Sequence, residues 1–238
     1  MQKKKDRGQK IACLLCDLRR IGLLAKVDEK LLDRVECEKV IHRFKPRQVV
    51  FHEGTPPLAA YCLREGRVKL YRSGKRGEEI VLRVVGPGAA FGYRPLLCDE
   101  LYAVTAEAIE ESEICVLPKQ VLLDLLRESP SFAADLLARV ARELRLSEDQ
   151  LLDLTQKSVR QRSAGLLLMF VEGCGEKTDG GIRLSIPVQR KEMAQMVGTT
   201  PETFSRTLHD LAERGILSLS RSTIVVTDEA ELRRLAED

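Results

Sequence analysis

The sequence predicts an α+β fold that consists of an N-terminal β-roll, one long helix and a C-terminal winged helix-turn-helix. Three observations predict it. Short apolar runs alternate with glycine turns between about residues 40 and 118, an apolar heptad runs from residue 133 to 154, and two helical patterns flank Gly198. The change of period along the chain predicts three segments, residues 1–130, 131–157 and 158–238.

The roll is predicted by strand-length apolar runs that end at glycine. These runs cover residues 49–51, 60–63, 68–72 and 80–85, and the turns contain Gly54, Gly66, Gly74 and Gly86. Short strands at such regular spacing are typical of a barrel or jelly roll.

The long helix carries an apolar residue at alternating spacings of four and three. The repeat comprises Ala133, Leu137, Val140, Leu144, Ser147, Leu151 and Leu154, and Ser147 is its one polar member. A heptad with charged flanks favours a parallel dimer, with a helix packed on its own domain as the alternative. We expect Leu137, Val140, Leu144, Leu151 and Leu154 to form the dimer seam. The pattern breaks at residues 156–158, which marks a candidate hinge.

The last segment contains the helix-turn-helix pattern. Met193, Ala194 and Val197 form the apolar stripe of a first helix that ends at Gly198. Thr200 is the expected N-cap of the second helix and Pro201 its first residue. The inward positions of this helix are Phe204, Leu208 and Leu211, and the outward ones are Glu202, Ser205 and Arg206. The alternative is a helical hairpin with a solvated charged face.

The outward residues have the chemistry of DNA base readout. Arginine can donate two hydrogen bonds to guanine, and glutamate can accept one from the cytosine amino group. A second helix of this kind enters the major groove with its N-terminal residues. Residues 218–226 alternate like a hairpin wing that turns near residues 221–222. Contacts to the DNA backbone are expected from Thr200, Thr203, Arg190, Ser220, Arg221 and Ser222.

Composition restricts the class of protein. The net charge of +3 is too small to indicate nucleic acid by itself, so a basic surface must be local. No apolar segment has the pattern of a signal peptide or reaches the roughly 18 residues of a membrane span. Seven cysteines, an odd number, favour thiols in a reducing cytoplasm. No catalytic triad or phosphate loop is present, so we do not expect an enzyme.

The order of roll, long helix and winged helix resembles the CRP/FNR family of bacterial transcription regulators. The motifs that carry the resemblance are residues 51–54 (FHEG), 65–70 (EGRVKL), the glycine turn at 86–92 and the recognition segment. The resemblance implies a cyclic-nucleotide-binding-type roll, a homodimer on a near-palindromic site and RNA polymerase as a partner. Two recognition helices would then enter major grooves ~34 Å apart.

The base-reading set resembles that of FNR-type members, which carry Glu-x-x-Ser-Arg. Here these positions are Glu202, Ser205 and Arg206. CRP-type members carry an arginine before the glutamate, where this chain has Pro201. The resemblance therefore implies an FNR-like half-site similar to TTGAT.

The sensor does not follow from the same resemblance. The family's cyclic AMP pocket uses a Gly-Glu pair and an Arg-Ser pair, but Tyr93 follows Gly92 here and the second pair aligns with Tyr102 and Ala103. Cyclic AMP is therefore not expected, because the phosphate would lack its arginine.

Cysteines and histidines offer other sensors. FNR-type members hold an iron–sulfur cluster, and the matching thiols here are Cys13, Cys16 and Cys115, one short of the four required. Zinc, a redox disulfide or a purely structural role are the alternatives. Haem would need His42, His52 or His209, and each occupies a position that favours another role.

A pocket between roll and long helix is a further candidate effector site. Its expected residues are Tyr93, Arg94, Tyr102, Thr105, Arg145 and Ser147. The arginines would bind an anionic small molecule, or would pair with acids such as Glu143 and Glu148. A regulator without an effector, and a signalling or scaffold subunit with a cyclic-nucleotide-type module, are the remaining alternatives; the winged helix argues against the second.

Overall fold

A computed structural model describes residues 22–74, 79–186, 188–220 and 223–237. The predictions that concern Cys13, Cys16, Arg221 and Ser222 lie outside these residues. Across the described chain, no helix has both the length and the apolar character that crossing a membrane requires.

Two four-stranded antiparallel sheets form the N-terminal roll, in the orders β1-β8-β3-β6 and β2-β7-β4-β5. In chain order, the elements of this half are α1 (Glu29–Glu38), β1 (Val40–Phe44), β2 (Val49–Phe51), β3 (Ala59–Glu65), β4 (Val68–Ser73), β5 (Glu79–Val85), β6 (Ala90–Phe91), α2 (Arg94–Cys98), β7 (Thr105–Ala108), β8 (Ser112–Pro118) and α3 (Lys119–Glu128). The strands predicted from the glycine-bounded runs are all present.

Side-chain alternation along the strands gives the roll two separate cores. Inward residues such as Leu63, Leu70 and Ile114 form a core between the two sheets. On the outside of the β1-β8-β3-β6 sheet, Ala60 and Leu117 pack beneath the helices instead. This second core attaches α1, α3 and the start of the long helix to the roll.

The long helix α4 (Pro130–Gln156) is continuous over 27 residues. Ser129 caps its N-terminus by accepting a hydrogen bond from the Phe132 N–H. Phe132 and Leu136 are buried in the helical core, whereas Leu144 and Leu151 are 60% and 64% exposed. The helix therefore packs on its own domain only at its beginning, and it leaves most of the apolar heptad uncovered.

The C-terminal half is a winged helix-turn-helix, so the α+β class and its three parts are confirmed. Its elements are α5 (Val159–Cys174), β9 (Gly175–Thr178), β10 (Gly181–Leu184), α6 (Arg190–Val197), α7 (Pro201–Glu213), β11 (Leu217–Leu219), β12 (Ile224–Val226) and α8 (Glu229–Glu237). Buried apolar residues of the helices, among them Leu167, Phe204 and Leu211, pack on the wing residues Leu217 and Val226.

From their sequence, the glycine-rich residues 172–181 are expected to form a loop between the helix before them and the helix-turn-helix, and this expectation is wrong. In the structure, α5 runs to Cys174, and β9 and β10 then form a hairpin that completes the sheet β11-β12-β10-β9. β9 is polar and mostly exposed, so it has no alternating pattern. It forms because β10 pairs with β12, a contact between distant parts of the sequence.

Candidate nucleic-acid interface and effector cavity

The turn between α6 and α7 depends on Gly198. Its backbone has φ of +71°, a left-handed conformation that glycine adopts without steric cost. A Cβ at this position would lie 2.6 Å from Cδ2 of Leu154 at the end of α4. The turn is therefore packed against the long helix, and only glycine fits there without a shift.

Helix α7 begins with the predicted cap. The Thr203 N–H donates to the Thr200 hydroxyl at 3.2 Å, and Pro201 occupies the first helical position. Phe204, Leu208 and Leu211 are fully buried. Their burial fixes the rotation of the helix, so that Glu202 and Arg206 are exposed and Ser205 is partly exposed on the opposite side.

The exposed end of α7 offers one acceptor and one donor of opposite charge. The Arg206 guanidinium donates to the Thr203 hydroxyl at 3.2 Å. Hydrogen bonds from its own backbone N–H and from Thr200 lower the pKa of Glu202, with a further contribution from Arg206. An ionised carboxylate and a guanidinium at a capped helix N-terminus are suited to base edges in a major groove.

The described candidates for DNA backbone contact lie on three elements of the winged helix-turn-helix. Thr200 is the N-cap of α7, Thr203 is in its first turn, and Arg190 is the first residue of α6. Ser220 lies at the tip of the wing, where its N–H donates to Thr223. Their polar and basic side chains are of the kinds that contact DNA phosphates, and their role stays a prediction.

A cavity of about 320 Å³ lies between the roll and α4. Three of the predicted effector residues line it, namely Tyr93, Arg94 and Tyr102. The other three are placed elsewhere: Thr105 is buried and accepts from the Glu53 N–H, while Arg145 and Ser147 are exposed on α4. On α4, the residue that lines the cavity is Glu143. The sequence predicted it only as a partner for the pocket arginines, and its pairing with Arg94 agrees with that alternative.

Glu143 neutralises the cationic side of this cavity. Its carboxylate oxygens lie 3.3 Å from Arg83 Nη1 and 4.0 Å from Arg94 Nε. Burial, together with the nearby Glu143 carboxylate, raises the pKa of Tyr93. The two arginines that an anion would need are therefore already paired with a carboxylate of the protein.

The remaining wall of the cavity is aromatic. Phe51 stacks on Tyr102 with ring centroids 3.9 Å apart, and the Tyr102 hydroxyl donates to the Ala59 carbonyl at 2.9 Å. Tyr102 stands where the family resemblance would place the phosphate-binding arginine. Together with the paired arginines, this arrangement does not fit a cyclic phosphate.

A contact between the roll and the helix-turn-helix was missed by sequence reasoning. Lys69 Nζ on β4 lies 2.7 Å from Glu79, 3.5 Å from Glu107 and 3.2 Å from Glu192 on α6. Burial disfavours the ammonium, but the bonds to Glu79 and Glu192 outweigh it and raise the pKa of Lys69. Since Glu192 is 123 residues away, no local pattern identifies this pair.

The predicted metal ligands remain predictions. Cys115 is buried on β8, and Cys13 and Cys16 lie outside the described chain. His42, His52 and His209 are all exposed. Within the described ranges, no group of three or more His, Cys, Asp or Glu side chains is arranged to hold a metal ion.

Comparison with known proteins identifies both halves of the chain. Residues 41–129 match the cyclic nucleotide-binding domain, and residues 161–235 match the Crp-like helix-turn-helix domain. The chain is 33% identical over 187 residues to the cyclic AMP receptor protein of Thermus thermophilus, which covers 79% of this chain and 83% of that protein. It is 25% identical over 232 residues to the fumarate and nitrate reduction regulatory protein of Vibrio cholerae, covering 96% and 92% of the two chains.

A solved structure shows the same architecture. A transcriptional regulator of the CRP/FNR family from Thermus thermophilus superimposes with a TM-score of 0.72 at 26% identity. The match covers 84% of this chain and 99% of that chain.

Proposed function

Because the chain belongs to the CRP/FNR family of transcription regulators, we propose that it binds a palindromic, FNR-like DNA site as a homodimer whose affinity is set by the roll. The observation that carries this proposal is the capped N-terminus of α7, which exposes Glu202 and Arg206 opposite a fully buried face. RNA polymerase is the partner that a regulator bound near a promoter would contact.

DNA reading is tested by a fluorescence anisotropy titration on a duplex with an inverted repeat of TTGAT. Arg206→Ala should weaken binding by about 1–3 kcal/mol per half-site and relax one base position. Arg233→Ala is the matched control, because Arg233 is an exposed arginine of α8 paired with Glu229. Full affinity and specificity in Arg206→Ala would contradict the assignment.

The homodimer is supported by the uncovered heptad of α4. Leu137, Leu144 and Leu151 are 70%, 60% and 64% exposed in the single chain. Leu154 is 48% exposed, and Val140 packs partly on the helical core of the roll. An apolar stripe of this kind on a long helix is suited to a second copy of the same helix.

Sedimentation velocity tests the seam. Leu144→Lys should shift the chain toward monomer and remove binding to the full palindrome. Leu146→Lys is the control, since Leu146 is 52% exposed on the same helix but lies outside the heptad. A dimer that persists unchanged in Leu144→Lys would place the interface elsewhere.

Control by the roll is supported by the position of Glu143 on the same helix as the seam. A ligand that takes Arg83 and Arg94 away from Glu143 would free α4 to shift. That shift would move the DNA-binding half through residues 156–158, where α4 ends and Ser158 caps α5 with a capping box. The domain limits at 130/131 and 157/158 are part of this proposal.

The absorption spectrum and metal content of anaerobically purified protein distinguish the possible signals. A cluster or zinc would favour sensing through Cys13, Cys16 and Cys115. A metal-free protein whose DNA affinity still responds to a small molecule would favour the cavity. An affinity independent of ligand, metal and redox state would make the protein a regulator without an effector.

A further inference from the structure

Two cysteines face each other across neighbouring strands of the roll. Cys62 on β3 is the direct antiparallel partner of Cys115 on β8. Both are thiols in the structure, Cys115 buried and Cys62 half-buried. Sequence spacing does not reveal this pair, because the two residues are brought together only by the strand order of the sheet.

Both side chains lie on the same face of that sheet. Along β3, Tyr61 and Leu63 belong to the core between the sheets, whereas Cys62 packs with the outer helical core. Along β8, Ile114 belongs to the inner core and Leu117, two residues beyond Cys115, to the outer one. Because alternate residues of a strand share a face, Cys62 and Cys115 both point outward, side by side.

The pairing geometry is compatible with a disulfide. Directly opposed residues of antiparallel strands have Cα atoms about 4.5–5.5 Å apart, which lies within the range of about 4.4–6.8 Å seen in disulfides. Their Cβ atoms are about 4.5–5.5 Å apart, wider than the usual ~3.8 Å. Closing the bond would therefore draw the strands together, and a bond under such strain is easily reduced.

We propose that Cys62 and Cys115 are a redox-active dithiol that a low-molecular-weight disulfide converts reversibly into a cross-strand disulfide. The Cys62 thiolate, on the more accessible side, attacks one sulfur of the reagent and expels a first thiolate. The Cys115 thiolate then attacks Cys62 Sγ and expels a second. The two cysteines lose two protons and two electrons, and the disulfide reagent is reduced to two thiols.

Oxidation of this pair would act on the core that supports the long helix. Cys62 packs against the same helical core that holds Phe132 and Leu136 at the start of α4, with Val140 at its edge. Linking β3 to β8 would stiffen the sheet beneath this core. The pair is independent of the proposed DNA site. Cys115 is also one of the predicted metal ligands, and Cys62 is one of the thiols that could supply the missing fourth ligand of a cluster.

The test uses a full-length variant that keeps only Cys62 and Cys115, with the other five cysteines replaced by alanine. The protein is incubated with mixtures of reduced and oxidised glutathione, alkylated and measured by intact mass. We expect the oxidised chain to be lighter by two hydrogen atoms. Half of the chains should be oxidised in a mixture that still contains reduced glutathione, and dithiothreitol should reverse the oxidation fully. The matched control carries Cys115→Ser in addition and should instead retain one glutathione on Cys62.

If the variant does not fold, the natural chain is given the same treatment and its cross-linked peptides are mapped. A peptide linking Cys62 to Cys115 supports the proposal. It is overturned if Cys62 carries glutathione without forming the link, if neither thiol changes, or if the link forms only when the chain is unfolded in urea.

Discussion

The N-terminal end of α7 and the cavity between the roll and α4 differ in how their charged side chains are paired. At α7, hydrogen bonds join residues that are three positions apart. The Thr203 N–H donates to the Thr200 hydroxyl, and the Arg206 guanidinium donates to the Thr203 hydroxyl. Their outward donors and acceptors are left for a partner. In the cavity, Arg83 and Arg94 come from separate elements and meet the carboxylate of Glu143, so the charge is satisfied within the protein.

The comparison shows why one region can be interpreted from sequence and the other cannot. The chemistry of α7 is contained in one helix, and helical periodicity alone orients it. The chemistry of the cavity depends on which side chains meet after folding. The family resemblance can therefore be compared with α7 residue by residue, while in the cavity it indicates a location but no ligand.

The largest expected effect is at Lys69, where the two halves of the chain touch. Lys69→Met leaves Glu79, Glu107 and Glu192 without their common counter-charge and should lower the free energy of unfolding by about 3 kcal/mol. Since the folded pKa of Lys69 is raised, this contribution is intact at neutral pH and is lost only as the pH rises above the ordinary value of 10.5. Urea denaturation at neutral pH measures it.

Lys119→Met is the control for that variant. Lys119 pairs with the exposed carboxylate of Asp99 at 2.8 Å, and such surface pairs contribute about 1 kcal/mol or less. Equal stability of the two variants would show that the roll and helix-turn-helix are not joined through Lys69.

Local patterns account for most of what sequence predicted correctly. The roll strands, the break near residue 157, the Thr200 cap and the Gly198 turn each depend on residues close in the chain. The β9–β10 hairpin, Glu143 as a cavity residue, the Lys69 contacts and the Cys62–Cys115 pair each depend on distant residues meeting. The periodicity of a single sequence does not indicate such long-range contacts.

The second effect concerns the turn that positions α7. Gly198→Ala places an L side chain at φ of +71° and a Cβ 2.6 Å from Leu154, which should destabilise the protein by about 2 kcal/mol. Gly215→Ala separates the two causes, because Gly215 has φ of +76° with open space around it. We expect about 1 kcal/mol there. Thermal melts compare the two, and an equal loss would mean that Leu154 moves aside without cost.

The third effect concerns the pairing of Glu143 with the two arginines of the cavity. Glu143→Gln removes the common partner of Arg83 and Arg94 and should cost about 1 kcal/mol of stability, because both arginines are partly solvated. Sulfate should then raise the melting temperature more in the variant than in the natural chain. Glu148→Gln, an exposed change on the same helix, serves as control. An identical sulfate response in all three proteins would refute the internal pairing.

The smallest effect is the titration of Glu202 in the first turn of α7. Its folded pKa lies below the ordinary 4.5, so any contribution to stability is present above that value and lost as the pH falls through the folded pKa. Because the side chain is fully exposed, the lowered pKa will be visible in the titration of Glu202 itself, followed by NMR of carbon-13-labelled glutamate.

Thr200→Val should move the pKa of Glu202 back toward 4.5, since it removes one hydrogen-bond donor. Thr207→Val should leave it unchanged, because the Thr207 hydroxyl donates to the Thr203 carbonyl. A Glu202 that titrates at its ordinary value in the natural chain would mean that the helix start does not hold this carboxylate ready for a base.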